Sequence, residues 1–329
     1  CNKDFSCLKG FCPSFVTIEG GSLKKGAGVS ISDDLFASLP APAAQAVNGV
    51  YGVMVTGIGG TGVVTIANLI GAAAQKEGKF TQALDLTGMA QKFGAVYCHL
   101  QIANDINALH ATRLSYGKAN LLLGADLVVA ASEESLSRLR QGVTQAAVNS
   151  HETVTGAFTR DVGFHLPITA MEQAVADFCG AGRADFFDST DLARALTGDT
   201  IGANMMLLGY ACQKGWLPVQ HTTLEEAIEE NGVAIPYNLK VFRLGRLLAA
   251  DPRKLQSLLG NGKQQRESLR LSESLDELIA RREKDLEAYQ DVAYAARYRS
   301  LVERVRTAEK AVNSQSTALT EATARNLYK

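Results

Sequence analysis

The sequence has no excess of charge of either sign and no long apolar run, and these absences exclude two classes of partner. Its 329 residues carry 33 basic and 34 acidic side chains, so no overall basic field favours nucleic acid. The best apolar stretch, 121–131, is interrupted by Gly124 and Asp126 and is too short to cross a bilayer. We therefore expect neither a nucleic-acid partner nor a membrane association.

Signatures of nucleophilic and zinc chemistry are also missing. The five histidines show no i, i+4 pairing, no Ser/His/Asp order stands out, and no C-x2-C pair is present. No Walker lysine follows the one glycine-rich turn. The sequence alone therefore predicts no catalytic residue.

Length and charge pattern divide the sequence into three parts. A chain of 329 residues with 46 % hydrophobic residues is globular and long enough for about two domains. Charged residues become denser after Ala250, and Pro252 follows directly, so we place a boundary there. The Pro/Ala-rich stretch 38–44 is typical of an extended linker. The predicted parts are a cysteine-rich leader with its linker, 1–48, a central domain, 49–250, and a charged helical extension, 251–329.

The central domain alternates apolar, β-branched runs with helical patterns. Predicted strands cover 49–56, 80–86, 96–102 and 127–131, and predicted helices cover 63–75, 192–196, 203–214 and 224–229. This alternation is typical of an α/β domain with a mainly parallel sheet. The extension instead repeats apolar residues at helical intervals. Because one narrow apolar stripe cannot bury itself, we expect the extension to pack on another surface rather than to fold alone.

A glycine-rich turn joins the first predicted strand to the first helix and fits the G-x-G-x-x-G pattern in its proper context. Its candidate phosphate-binding residues are Gly57, Gly59, Gly60, Thr61 and Gly62. Glycine lets the backbone approach an anion, and the free N–H groups at a helix start favour negative charge. Asp85, at the end of the second predicted strand, is a candidate for binding the ribose of a nicotinamide cofactor, although its spacing is long. Alternatively, the glycines serve only tight strand-to-helix packing.

Three cysteines lie close together at the start of the sequence. Cys1, Cys7 and Cys12 have a C-x5-C-x4-C spacing, and Pro13 comes directly after. Such a cluster indicates an iron–sulfur centre, zinc or incidental thiols, and a Cys-Pro pair ends the bacterial ferredoxin ligand run. Three cysteines cannot complete a site of four thiolates, so we expect a fourth ligand upstream in a longer polypeptide. The other three cysteines lie in apolar segments and are expected in the core.

Four segments carry a family resemblance: the strand and turn 51–65, the Gly-x-x-Gln-x-x-Gly segment containing Gln91, the stretch 113–129 and the leader 1–16. The first two resemble the γ domain of 2-oxoacid:ferredoxin oxidoreductases, and the third is similar too. The leader resembles the stretch before that domain in fused bacterial indolepyruvate ferredoxin oxidoreductases. The charged extension is similar to the C-terminal extension of the fused form, so the resemblance covers almost the whole chain.

The resemblance implies a Rossmann-like γ domain within a cytoplasmic enzyme that oxidatively decarboxylates 2-oxoacids to acyl-coenzyme A. In that family thiamine diphosphate is held by other domains, and [4Fe–4S] clusters pass electrons to ferredoxin. The fragment is then inactive alone, with thiamine-binding domains, ferredoxin and further copies of itself as partners. Cys1, Cys7 and Cys12 become part of a [4Fe–4S] ligand set, and the glycine turn a contact for coenzyme A or another phosphate. In that family the turn is not a nicotinamide site, so the resemblance leaves Asp85 a structural role. A nicotinamide-dependent dehydrogenase that uses this turn is the alternative.

Overall fold

The computed structural model describes Gly20 and residues 28–29, 31–87, 94–153, 165–259, 272 and 274–328. Cys1, Cys7, Cys12 and Gln91 lie outside the described residues. The chain divides into two compact units, Cys1–Asn261 and Gly262–Lys329, and each contains its own apolar cluster.

The first unit is built on a six-stranded sheet. Its strands are β1 (Val50–Ile58), β2 (Phe80–Thr87), β3 (Ala95–Ala103), β4 (Leu121–Gly124), β5 (Gln145–Asn149) and β6 (Ala184–Phe187). Their order across the sheet is β2-β3-β1-β4-β5-β6. β1, β4, β5 and β6 run parallel, whereas β3 is antiparallel to both β1 and β2. The expected α/β fold with a mainly parallel sheet is confirmed.

Helices connect the strands and cover both faces of the sheet. They are α1 (Asp34–Ala37), α2 (Val63–Lys76), α3 (Leu127–Ala130), α4 (Glu133–Leu136), α5 (Ile168–Cys179), α6 (Ser189–Thr197), α7 (Ala203–Gln213), α8 (His221–Glu230), α9 (Ile235–Ala250) and α10 (Pro252–Leu258). Because side chains alternate along a strand, Val53 of β1 packs in a cluster with residues of α2, α7 and α9. Its neighbour Met54 packs in a second cluster with residues of α3 and α5.

The prediction of a strand at 127–131 is wrong. The strand there is β4, which ends at Gly124, and 127–130 form the short helix α3. The Asp126 carboxylate accepts a hydrogen bond from the Val129 N–H at 2.9 Å, which satisfies an N–H group that a helix start leaves free. An apolar run of this length is compatible with a strand or a helix, and the capping residue before it decides in favour of the helix.

The first unit extends beyond the boundary predicted at Ala250. Leu255 of α10 is 1 % exposed and belongs to the same cluster as Val53. Asp251 caps α10 by accepting a hydrogen bond from the Lys254 N–H at 3.0 Å. The rise in charge density therefore begins inside the first unit.

Residues 31–47, which we call the strap, contain α1, have no other regular secondary structure and contact the helices α7 and α9. The carbonyl oxygen of Pro40 accepts hydrogen bonds from Gln213 Nε2 at 2.8 Å and Arg246 Nη2 at 3.3 Å. Gln45 N donates to the carbonyl oxygen of Leu217 at 2.9 Å. The stretch predicted as a linker is therefore bound to the first unit.

The second unit consists of three helices in its described part, α11 (Leu275–Tyr289), α12 (Val292–Val312) and α13 (Ala318–Leu327). Its buried apolar cluster comprises Ile279, Leu286, Ala295, Tyr298, Val302 and Ala324. The helices thus bury part of the apolar stripe against one another. None of the helices in the described ranges of either unit has the length and apolar character needed to cross a membrane.

Glu309 of α12 binds the start of α13. Its carboxylate accepts hydrogen bonds from the N–H groups of Leu319 at 2.9 Å and Thr320 at 2.8 Å, and from the hydroxyls of Thr320 at 2.6 Å and Ser316 at 2.7 Å. Thr317, which precedes α13, makes no side-chain cap. Glu309 therefore provides from a neighbouring helix the acceptor that a helix start requires.

Candidate functional site

After the adjacent parallel strands β1 and β4, the chain continues in opposite directions across the sheet. β3 and β2 lie on one side of β1, and β4, β5 and β6 lie on the other. In open α/β sheets, ligands bind in the crevice outside the strand ends at such a point. The glycine turn after β1 and the loop that begins at Ala125 border this crevice, and Ala125 N donates to the carbonyl oxygen of Thr56 at 2.7 Å.

The predicted turn residues lie together, and Gly60, Thr61 and Gly62 are exposed. Gly60 and Gly62 have φ angles of +85° and +87°, a left-handed conformation that favours glycine. The Thr61 hydroxyl donates to the carbonyl oxygen of Ile58 at 2.7 Å. A Cβ atom at Gly57 would come within 2.6 Å of the Val63 side chain. Gly57 therefore serves close packing, whereas Gly60 and Gly62 serve the backbone conformation.

The turn provides an environment that suits an anion. Gly62 opens α2 without a side-chain cap, and the first turn of that helix contains no acidic residue. The free N–H groups and the helix dipole there favour negative charge. Nothing lies within 4 Å of a Cβ position built at Gly62, so the space beside the turn is open to a phosphate. Glycine and threonine offer no group for acid–base catalysis.

Two contacts that sequence analysis did not foresee hold the turn in place. Asn204, near the start of α7, is 7 % exposed, and its Nδ2 donates to the carbonyl oxygen of Thr61 at 2.7 Å. Gly59 N donates to the carbonyl oxygen of Gly94, just before β3, at 2.8 Å. Asn204 lies 143 positions from Thr61, so no local pattern could have identified it.

Asp85 does not lie where a ribose-binding carboxylate is needed. It is an exposed residue of β2, and β3 separates β2 from β1 in the sheet. At about 4.8 Å per strand, the two strands are about 10 Å apart. In dinucleotide-binding domains the acidic residue follows a strand adjacent to the first. The strand order therefore does not support the nicotinamide alternative.

Polar side chains also meet at the carboxyl ends of β5 and β6. His151 Nδ1 lies 2.9 Å from Asp188 Oδ2, and the two residues follow neighbouring parallel strands. Asn149 joins the surrounding segments: its Nδ2 donates to the carbonyl oxygen of Ala125 at 3.2 Å, and its Oδ1 accepts from the N–H groups of His151 at 3.2 Å and Ser189 at 3.0 Å. Sequence analysis treated His151 as a scattered histidine and missed this arrangement.

Within the described residues, one group of metal-binding side-chain types comes together. His151, Asp188 and Asp191 place their ligand atoms within 4.8 Å of one another. Arg194 pairs with Asp191 at 2.6 Å, and both carboxylates lie at the positive end of α6. Arg194 and the start of α6 therefore already neutralise part of the negative charge of these carboxylates.

The cysteines within the described ranges do not provide an iron–sulfur site. Cys98, Cys179 and Cys212 are free and buried, as the sequence predicts. Burial raises the pKa of the Cys179 and Cys212 thiols to about 12, and burial also raises the pKa of Cys98. Among the described residues, none of these three cysteines joins a group of metal-binding side chains.

Comparison with protein families gives two matches. Residues 52–248 match the pyruvate ferredoxin/flavodoxin oxidoreductase family, and this range contains the glycine turn, the crevice and the His151 arrangement. Residues 275–329 match a family of unknown function (DUF6537), which corresponds to the three helices of the second unit.

Individual relatives each match about three fifths of the chain. The indolepyruvate oxidoreductase subunit IorB of Thermococcus kodakarensis is 26 % identical over 200 residues, which are 59 % of this chain and 94 % of the relative. A pyruvate oxidoreductase subunit from Thermotoga maritima has a TM-score of 0.43 at 19 % identity, with 60 % of this chain and 96 % of that one covered. The γ subunit of a keto/oxoacid ferredoxin oxidoreductase from Geobacter sulfurreducens has a TM-score of 0.42 at 20 % identity, covering 60 % and 98 %.

Proposed function

The chain belongs to the pyruvate ferredoxin/flavodoxin oxidoreductase family, and on that premise we propose that it forms the γ portion of a 2-oxoacid:ferredoxin oxidoreductase. The family match over 52–248 carries the proposal. One relative is named an indolepyruvate oxidoreductase subunit, so an aryl-substituted 2-oxoacid is the substrate to test first. The nicotinamide-dependent alternative is not favoured, because Asp85 lies on a strand that is not adjacent to β1.

The proposed reaction is the oxidative decarboxylation of a 2-oxoacid to acyl-coenzyme A, in the cytoplasm, with ferredoxin as electron acceptor. We assign thiamine diphosphate to partner domains, where it would supply the carbanion chemistry of decarboxylation. Cys1, Cys7 and Cys12 are proposed as part of a [4Fe–4S] ligand set, because they lie close together in the sequence and Pro13 follows Cys12 as it does at the end of a ferredoxin ligand run. Further copies of the chain are expected in the assembled enzyme.

We assign the glycine turn as a contact for a phosphate of coenzyme A. The proposal is supported by the exposed left-handed backbone of Gly60 and Gly62 and by the uncapped start of α2. Coenzyme A would supply the thiol that receives the acyl group. The role of this chain is to bind the anionic part of that molecule and orient it.

Gly62→Ala and Gly78→Ala form a matched pair that tests this function. Both glycines have positive φ, +87° and +75°, neither has an atom within 4 Å of a built Cβ, and they flank opposite ends of α2. Each substitution should cost about 1–2 kcal/mol of stability, because a left-handed conformation disfavours a side chain. In the assembled enzyme, only Gly62→Ala should raise the KM for coenzyme A, since its methyl group occupies the open space beside the turn.

The assay is 2-oxoacid- and coenzyme-A-dependent reduction of ferredoxin, with thermal melts of each variant alongside. Equal KM values in the two variants would show that the turn does not contact coenzyme A. Failure of the unmodified enzyme to reduce ferredoxin with any 2-oxoacid would contradict the proposed function itself.

A further inference from the structure

His151 and Asp188 form a dyad at the edge of the sheet that carries the glycine turn. β5 ends at Asn149 and β6 ends at Phe187, and both run parallel to β1. The two residues therefore follow the carboxyl ends of adjacent strands. β5 is two strands from β1, so the dyad lies about 10 Å along the edge from the turn.

The dyad is held by a buried amide that uses all its hydrogen-bonding capacity. Asn149 is 5 % exposed; its Nδ2 donates to the carbonyl oxygen of Ala125 and to the Thr190 hydroxyl, at 3.2 and 2.9 Å. Its Oδ1 accepts from the N–H groups of His151 and Ser189. One side chain thus holds the backbone N–H of His151, the backbone N–H of Ser189 directly after Asp188, and the carbonyl group of Ala125 beside the crevice. Such fixed geometry is what a site for proton transfer requires.

The hydrogen bond to Asp188 determines which ring nitrogen of His151 is free. A carboxylate only accepts hydrogen bonds, so Nδ1 carries the proton and Nε2 of the neutral ring carries the lone pair. Among the described residues, none forms a hydrogen bond to Nε2. The side chains of His151 and Asp188 are 23 % and 35 % exposed, so a ligand can reach them. An imidazole oriented by a carboxylate, with its other nitrogen free, is the arrangement of a general base.

We propose that the His151–Asp188 dyad accepts a proton from the thiol of coenzyme A. His151 Nε2 takes the proton, the sulfur keeps the electron pair as a thiolate, and the proton then passes to solvent. A thiolate is the nucleophile that transfer of an acyl group to sulfur needs. The identity of the thiol rests on the proposed function. The pantetheine arm of coenzyme A is longer than the separation between turn and dyad, so a phosphate at the turn and a thiol at the dyad are compatible.

The charged groups around His151 favour this role. Asp188 lies 2.9 Å and Asp191 3.9 Å from Nδ1, and both carboxylates stabilise the imidazolium that forms when Nε2 is protonated. Arg194 faces Asp191 at 2.6 Å and neutralises part of that negative charge. Asp188 also caps α6 by accepting from the Asp191 N–H at 2.7 Å, so His151 is the residue whose replacement leaves the helix intact.

The test compares His151→Gln with His110→Gln in the assembled enzyme. His110 is an exposed histidine that follows β3, and β3 ends beside the start of β1, far from the carboxyl ends of the parallel strands. Its variant is therefore the control. We expect His151→Gln to lower kcat/KM for coenzyme A about a hundredfold and to remove the acidic limb of its pH profile. The KM for the 2-oxoacid and the melting temperature should stay unchanged. Imidazole in the buffer should restore part of the activity of His151→Ala.

A second measurement does not depend on coenzyme A. Diethyl pyrocarbonate, which modifies free imidazole nitrogen, should label His151 in the whole chain, and mass spectrometry should detect slower labelling in Asp188→Asn. Unlabelled His151, or His151→Gln with an unaltered pH profile and kcat/KM, overturns the dyad. A different outcome is normal labelling of His151 in an enzyme whose activity does not depend on coenzyme A. That result would contradict the proposed function and the assignment of the thiol, and the dyad would then accept its proton from another group.

Discussion

At the scale of single residues, two glycines inside helices have opposite surroundings. Gly209 of α7 faces the backbone of α9, and a built Cβ would overlap the carbonyl oxygen of Phe242 and come within 3.2 Å of Arg246 N. Gly71 of α2 faces Leu100, whose Cδ1 would lie 3.7 Å from a built Cβ, an ordinary contact distance. The first glycine is needed for close helix packing, whereas the second is only a poor helix former.

We predict that Gly209→Ala destabilises the first unit by about 3 kcal/mol or more, because backbone cannot move aside as a side chain can. Gly71→Ala should stabilise it by about 0.5–1 kcal/mol, since alanine loses less conformational entropy in a helix. Urea unfolding of both variants measures the two effects. Similar free energies of unfolding for the two variants would contradict the packing of α7 on α9.

Sequence analysis identified the residues whose chemistry is local. The glycine turn follows a strand and opens a helix, so its position could be read from a short pattern. Asn204 and Asn149 could not be identified, because each acts on backbone groups distant in sequence. The place of Asp85 in the sheet could not be read from the sequence for the same reason: β2 follows β1 in the chain, but β3 lies between them in the sheet.

At the scale of elements, the joint between α12 and α13 depends on one carboxylate. Glu309 accepts two backbone and two hydroxyl hydrogen bonds, which favour its charged form. The hydrogen bond from Thr320 is the largest cause that lowers the pKa of Glu309 to about 2. A glutamate in an unfolded chain titrates near 4.3. The stabilisation is therefore complete above the unfolded pKa and is lost as the pH falls towards 2.

We predict that Glu309→Gln lowers the melting temperature of the second unit at neutral pH and flattens its dependence on pH between about 4.5 and 2. Glutamine can accept fewer hydrogen bonds and carries no charge towards the start of α13. Glu287→Gln, at an exposed position of α11, is the matched control and should behave as the unmodified chain does. Helical circular dichroism during heating reports the effect, and identical curves for the two variants would contradict it.

Sequence analysis missed the short strands β5 and β6 as well as the longer helices α5 and α9. β5 has five residues and β6 has four, and neither forms a long alternating or apolar run. Their places depend on pairing with β4 and with each other, which is set by the whole sheet. Longer elements with clear periodicity, such as α2 and β3, were predicted close to their observed bounds.

At the scale of the whole molecule, the chain carries two cores of different size. The first unit buries side chains on both faces of its sheet, whereas the cluster of the second unit contains six buried residues among those that the structure describes. A small unit gains less from apolar burial relative to the entropy it loses. Sequence analysis expects the charged extension to pack on another surface rather than to fold alone, whereas the second unit's own cluster leads us to predict that it unfolds as a separate unit.

We predict two separate transitions when the whole chain is heated in a calorimeter, with the second unit melting at the lower temperature. Separate cores unfold as separate cooperative units. Gly209→Ala should shift only the upper transition and Glu309→Gln only the lower one, so each variant is the control for the other. A single transition that both substitutions shift would show that the units unfold together.

The strap has a consequence for the order of events during synthesis. Ser38 accepts a hydrogen bond from Lys254 Nζ, 216 positions later in the chain, and Pro40 binds Gln213, 173 positions later. A ribosome adds roughly 5–20 residues per second, so roughly 10–40 s pass between the synthesis of the strap and the synthesis of its last partner. Through that interval the sheet can assemble while the strap is still unattached. The strap is thus made before the sheet and completes its contacts only when α10 has emerged.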